Sequence, residues 1–473
     1  MNRDTTYKLQ FRGRLQMSGD NSCPVVATME FETYDPSSLE VNVLFIGDEK
    51  ENRVASHYLQ YSPYNYIWLQ SDEGNIPAVE VLGIHRLEIS GLRASIGATA
   101  VQIGLSKEPI EQDTIFHIKI ELTPSGILVQ PGIRELVYTG ETRFRPIVEG
   151  RIEVPTTLGV LEVGQRYAHY KSEEYGNEIT HSVQRVSLTG KISISKGQDL
   201  FSINESLEEN VNKICRLLSL CYRQPVKLYE IEYFPNPETN QETILRRALL
   251  RVRLSSHEKK IDQDELINYR SLVDGGLDKL LRDYQDSNHK EEIFRVIGFL
   301  SASYKMATLE SSYFLAYSAL DLAASIYNPD SLYLVSSGKW KKLQKQLREY
   351  LNSIAENQGL ADVIEQIKEK LPELRRASGD RRIIDACSSL NVNVSDLWPK
   401  EGFEVGLKAA TRMRNELFHS ALCESPNDLS DHLVRVRTLV ERLLLKILGW
   451  PDAQIWVWYD QNLKRVNLRA GNA

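Results

Sequence analysis

Residues 403–422, Phe-Glu-Val-Gly-Leu-Lys-Ala-Ala-Thr-Arg-Met-Arg-Asn-Glu-Leu-Phe-His-Ser-Ala-Leu, decide how the C-terminal half of the chain is read. At about 100° per residue, Leu407, Ala410, Leu417, Phe418 and Ala421 fall on one apolar helical face. Arg414 points into the middle of that face, and Asn415 and His419 share a polar flank beside it. A guanidinium taken into an apolar face needs a partner to offset its desolvation. An imidazole nearby is the side chain best suited to moving protons near neutral pH. Together they place a fixed positive charge and an acid–base group within reach of one ligand. The competing reading is a buried arginine satisfied by a carboxylate, with His419 a bystander. Of the nine histidines, only His419 has an arginine five residues before it.

Upstream, Tyr313-Phe-Leu-Ala-Tyr317-Ser-Ala-Leu-Asp321 also has helical spacing and ends on an acid. Arg-Asn-x-x-x-His on a helix near the end of a helical domain resembles the signature of the HEPN superfamily. The Tyr313–Asp321 stretch is similar to the first helix of that superfamily, where an acidic residue often follows Ala-Leu. A β-rich N-terminal region followed by such a domain further resembles the ApeA-like anti-phage HEPN proteins. The likeness covers about residues 296–450; ahead of them it is one of architecture only. It implies a metal-independent endoribonuclease without cofactor, its site shared across a homodimer, with Arg414, Asn415 and His419 catalytic. Asp321 corresponds to the helix-one acid, as Asp where Glu is commoner, which shortens its reach. The implied reaction cleaves RNA, tRNA among the candidates, to 2′,3′-cyclic phosphate ends in abortive-infection defence. The N-terminal region would then sense a phage-derived activator. Two other readings stay open: a non-catalytic HEPN module that binds nucleotide, RNA or a partner, and an interaction scaffold without RNA contact.

With 473 residues the chain is long enough for two to four domains. Its 42% hydrophobic and 26% charged residues are those of an ordinary globular protein. A net charge of −7 argues against a surface coated with basic groups, although a local basic groove would suffice for RNA. The five cysteines are scattered without a C-x2-C pair, which points to reduced thiols and against structural zinc. The start, Met1-Asn-Arg-Asp-Thr-Thr-Tyr7, has no signal-peptide core, and no run reaches the roughly 20 apolar residues of a membrane span. A cytoplasmic protein is expected.

The expected class is α+β, in four parts. Residues 1–196 form a β-rich domain, because 7–17, 39–46 and 114–122 alternate with period two between turn signals; the resemblance makes it the sensing or partner-binding part. No helical pattern longer than two turns is read there, so an antiparallel sandwich or barrel is expected. Its histidines, His57, His85, His117, His169 and His181, lack metal-ligand spacing, and Gly91 and Gly97 fit no phosphate-binding fingerprint. Residues 197–290 mix a helix with a hairpin. Leu207, Val211, Ile214, Leu218 and Cys221 share a helical face behind a Ser206–Glu209 capping box. The hairpin pairs strands 225–234 and 244–254, the second bearing Arg246, Arg247, Arg251 and Arg253 either for phosphate contact or as a solvated face. A further helix is expected from Asp262 to about Asp286.

Residues 291–450 form the helical domain. One long helix is expected from about Ile293 to Ile326, then a basic helix opening at Lys339. Arg375, Arg376, Arg381 and Arg382 bracket Ser378-Gly-Asp380 in a loop, where guanidinium groups could reach RNA phosphates. Ser425 caps a final helix with Pro426 at its first position, and Leu429, Leu433, Val436, Val440, Leu444 and Ile447 form its packing stripe. Residues 451–473 read as a strand-like tail whose Trp456 and Trp458 either stack on bases or pack on another part of the chain.

Overall fold

The computed structural model describes residues 6–17, 21–32, 35–61, 66–72, 78–104, 109–123, 127–128, 132–136, 142–146, 152–156, 158–174, 177–235, 265–273, 275–327, 333–358, 361–375, 378–420, 425–451 and 461–471. The class is mixed α+β, with an antiparallel β region first and helices in the C-terminal half. The chain divides into two compact units. The first comprises residues 1–218, 225–262 and 268–281; the second comprises 219–224, 263–267 and 282–473.

In the first unit, strands β1 (Thr6–Gln16), β2 (Ser22–Glu32), β3 (Asp35–Phe45), β4 (Tyr66–Ser71), β5 (Val79–Ser90) and β6 (Arg93–Ile103) close into a barrel. Alternation drives it: Phe11 and Leu15, Val25, Ala27 and Met29, then Leu39, Val41 and Val43 all turn into one core. The barrel is completed where β1 meets β4, Gly13 opposite Ser71. A Cβ at Gly13 would lie 2.1 Å from the Gln70 carbonyl oxygen, so only glycine lets these strands approach. Of the two expected β architectures, the barrel is the one formed.

A 13-residue helix, α1 (Glu49–Tyr61), interrupts these strands, against the expectation that no helix longer than two turns would. Only Ala55 and Leu59 of it are buried, so its apolar stripe is too short to signal a helix. Its start is fixed by a reciprocal cap. The Asp48 carboxylate accepts from the Glu51 amide at 2.8 Å, and the Glu51 carboxylate accepts from the Asp48 amide at 2.9 Å.

Strands β7 (Thr114–Thr123), β10 (Glu153–Thr156), β11 (Gly159–Glu174), β12 (Asn177–Ile194) and β13 (Lys227–Pro235) form a second sheet in the order β10-β11-β12-β7-β13. β8 (Gly132–Leu136) and β9 (Thr142–Pro146) pair by themselves. The first expected hairpin strand is therefore β13, paired with β7. Its expected partner at 244–254, with the four arginines, lies outside the described residues.

Helix α2 (Leu200–Cys221) buries Leu207, Val211, Ile214, Leu218 and Cys221 as expected but begins six residues before Ser206. Asp199 is the cap: its carboxylate accepts from the Ser202 amide at 2.7 Å and from the Ser202 hydroxyl at 2.9 Å. Between residues 265 and 286 the expected continuous helix is confined to α3 (Gly276–Asp286) and one turn at Tyr269–Leu272.

The second unit is helical. α4 (Lys290–Ser303) and α5 (Leu309–Tyr327) replace the single long helix expected there. The chain breaks between them because the Thr308 hydroxyl oxygen accepts from the Ser311 amide, starting a new helix. α5 is the centre of the unit and packs against α4, α8 (Gly379–Ser389), α9 (Phe403–Ser420) and α10 (Pro426–Ile447). Ala316, Ala319, Ala323 and Ala324 are fully buried along α5; their small side chains let neighbouring helices close in. α6 (Ser337–Gln358) carries the basic stretch and packs against α7 (Ala361–Lys370). Ser425 and Pro426 stand at the start of α10 as read, but the Ser425 hydroxyl donates to the Asp428 carboxylate at 2.7 Å and makes no cap bond to the helix; burial continues through Leu439, Leu443 and Leu445, beyond one stripe, while Ile447 is only half-buried. In the tail, α11 (Gln461–Gly471) is a helix, not a strand; residues 452–460, with both tryptophans, lie outside the described residues.

Candidate active site

Helix α9 forms as read, burying Leu407, Ala410 and Leu417. Phe418, expected on that face, is 63% exposed, and Ala421 lies outside the described residues. Arg414 is half-buried, so the fully buried guanidinium expected from the apolar stripe is corrected. Its position at the edge of the face leaves it half-buried, with the head beside two rings. The guanidinium lies 5.6 Å from the Phe418 ring centroid and 6.0 Å from that of Tyr317. Its Nη1 donates to Asn415 Oδ1 at 3.0 Å. No carboxylate pairs with Arg414 among the described residues. The alternative of a buried arginine held by a carboxylate does not describe it.

Asn415 and His419 are both exposed. The His419 ring stands edge-on to Phe418, centroids 5.7 Å apart, and Phe418 stacks on Phe314 of α5 at 6.5 Å. α9 is docked on α5 by two tyrosines. The Tyr313 hydroxyl donates to the Ala410 carbonyl at 2.8 Å, and the Tyr317 hydroxyl shares a hydrogen bond with Thr411 at 2.7 Å. Burial raises the Tyr317 hydroxyl above its ordinary value, and the negative charge of Asp321 pushes the same way.

Asp321 does not hold Arg414 directly. Its carboxylate accepts from Arg382 Nη2 of α8 at 2.7 Å, with the arginine side chain 17% exposed and the aspartate 42%. Aspartate is short, and α8 brings a guanidinium to it. Among the other predicted basic residues, Arg381 is exposed and bridges to Asp385 at 3.1 Å. Both Arg381 and Arg382 lie in the first turn of α8 rather than in a loop. Arg375 ends a 3₁₀ turn, donates to the Val335 carbonyl at 3.1 Å and lies 3.9 Å over the Tyr333 ring, so it serves the fold. Arg376 lies outside the described residues.

The structure thus places Arg414 and Asp321 both around Tyr317, with Arg382 on Asp321, Asn415 on Arg414 and His419 against Phe418. Sequence reading missed Tyr317 and Thr411 as the joint of α5 and α9; their signal, a tyrosine one turn before Asp321 and a threonine before Arg412, was there to use. It also missed a cleft of about 610 Å³ along the N-terminal half of α9, lined by Trp398, His432 and Arg435. Among the described residues, no group of three or more His, Cys, Asp or Glu is placed to hold a metal ion, and no helix is long and apolar enough to cross a membrane. No family model, curated protein or solved structure matches the chain.

Proposed function

We propose that the helical unit is a HEPN-type endoribonuclease, acting as a homodimer without a metal ion and leaving 2′,3′-cyclic phosphate and 5′-hydroxyl ends. The observation that supports this most is the state of Arg414, half-buried and tied to Asn415 but without a carboxylate partner among the described residues. Such a guanidinium has N–H groups left to fork onto a phosphate as charge develops there. In the reaction, the ribose 2′-oxygen attacks the adjacent phosphorus and the bond from phosphorus to the 5′-oxygen breaks. One proton leaves the 2′-hydroxyl and one is delivered to the departing oxygen; the exposed His419 serves either transfer. One chain carries one His419, so a second copy across a two-fold axis supplies the other group. Asn415 orients Arg414 through its side-chain oxygen, and Asp321 steadies Arg382. In this reading the β-rich unit senses a phage-derived activator, and the cleaved RNA, tRNA among the candidates, halts the infected cell.

The test uses the full chain with tRNA and single-stranded RNA in EDTA-containing buffer. His419→Ala and Arg414→Ala should fold and lose cleavage by roughly 100-fold or more. Retained cleavage by both variants removes the assignment. A second reading, a non-catalytic binding module, is favoured by the openness of the Phe314–Phe418 surface, 42% and 63% exposed. It expects salt-dependent retention of RNA on a gel with no cleavage at any protein concentration.

A further inference from the structure

The cleft beside the N-terminal half of α9 holds the most unusual charge among the described residues. Arg435 is 6% exposed and lines that cleft, yet its Nε has no hydrogen-bond partner. None of its other N–H groups makes a hydrogen bond or ion pair among the described residues; its ring contact is with Trp398, whose centroid lies 6.0 Å away. A guanidinium buried this far asks for a partner, and its Nε is left without one. The indole Nε1 of Trp398 donates to His432 Nδ1 at 3.4 Å. Burial and the charge of Arg435 push His432 down to about 4, so its ring is neutral and its one proton sits on Nε2. The inner wall therefore carries the Arg435 guanidinium as its charge, with a neutral His432 beside it.

The outer lining has the opposite character. Glu401 and Asp428 are exposed and Asp431 is half-buried, and all three act on Arg435 from beyond pairing distance. Asp431 precedes Arg435 by one helical turn, about 6 Å along α10. A simple anion would meet Arg435 but face three carboxylates; a simple cation would meet the carboxylates but face Arg435. We propose that this cleft binds a small free zwitterion of the amino-acid type, its carboxylate on Arg435 and its amine among Glu401, Asp428 and Asp431. The site is independent of the nuclease reading. It shares a helix with it, since Val405, Gly406 and Ala409 of α9 form one wall. Gly406 is required there, because a Cβ would lie 2.1 Å from Trp398 Cγ.

Three four-carbon probes test the idea by calorimetric titration of the full chain: 4-aminobutyrate, butyrate and butylamine. The zwitterion should bind about tenfold or more tightly than either single-charge analogue, a difference of about 1.4 kcal/mol. Asp431→Asn should bring its affinity down to that of butyrate, and Arg435→Met should abolish binding with an unfolding temperature unchanged or raised. Equal affinity for butyrate and 4-aminobutyrate in the wild type overturns the zwitterion. Absence of heat with all three probes at millimolar concentration, together with a lowered unfolding temperature of Arg435→Met, assigns Arg435 to the fold and overturns the site.

Discussion

Two arginines of the helical unit, Arg223 and Arg414, sit near aromatic rings and mean opposite things. Arg223 is buried and forks onto Glu441 through Nε at 2.8 Å and Nη2 at 2.7 Å, their side chains 8% and 2% exposed. The Tyr304 hydroxyl donates to the same carboxylate, and Arg437 donates to the hydroxyl and carbonyl of Ser303 while covering the Tyr304 ring at 4.3 Å. Burial, and then Glu441, raise Tyr304 well above its ordinary value, so it stays a neutral donor. Every charge there has an answer inside the fold. Arg414 is half-buried and keeps one neutral hydrogen-bond partner. The first arrangement holds a structure; the second leaves capacity for a ligand.

Breaking the first arrangement should have the largest effect on stability. Glu441→Gln leaves Arg223 buried without its counter-charge and should cost about 3–5 kcal/mol in chemical denaturation. Next comes Gly406→Ala, whose new Cβ meets Trp398; overpacking of about 1–3 kcal/mol is expected by the same measurement, with a shift in Trp fluorescence.

A smaller, pH-dependent effect belongs to Asp396. Burial by itself would raise this carboxyl, but paired hydrogen bonds from Arg442 at 2.6 and 2.8 Å outweigh it and hold the group below its ordinary value of 3.8. A lowered carboxylate stabilises the fold above that pH, and the contribution is lost as acid carries it through its folded-state value. Asp396→Asn should therefore unfold more readily at neutral pH, and the difference from the wild type should vanish in acid titrations followed by circular dichroism.

The smallest stability change is expected at Arg414, where the proposed function expects a large loss of cleavage. Arg414→Ala should alter unfolding free energy by no more than about 0.5 kcal/mol, since no ion pair is lost. A loss comparable with that of Glu441→Gln would place Arg414 with the structural charges and erase the contrast.

The face of α9 through Leu407, Ala410 and Leu417 was legible because a helical repeat writes its buried side into the sequence. The neighbour of Asp321 was not, because which residue of α8 lies across from α5 depends on how two helices slide past each other. Caps were readable only in part. Ser206 and Glu209 fit a capping box, yet Asp199 took the role because Ser202 supplies it with two donors. Arg435, between Leu433 and Val436, was open to the argument applied to Arg414: an arginine among core positions asks for a partner. Phe418 misled in the other direction, since an apolar residue on a helical face can stand in solvent when it has a ring such as Phe314 to lie on.

The closed barrel of the first unit has a consequence for recruitment. Its six strands form one ring, closed by the short seam of β1 and β4 at residues 13–16, so along the paired stretches a strand has a neighbour on both sides and no margin onto which a visiting segment could be stitched by main-chain bonds. A partner approaching those paired stretches would meet side chains. Among the described residues the five-stranded sheet is open and ends in β10 and β13, whose outer edges are where chain-to-chain zippering would be sought.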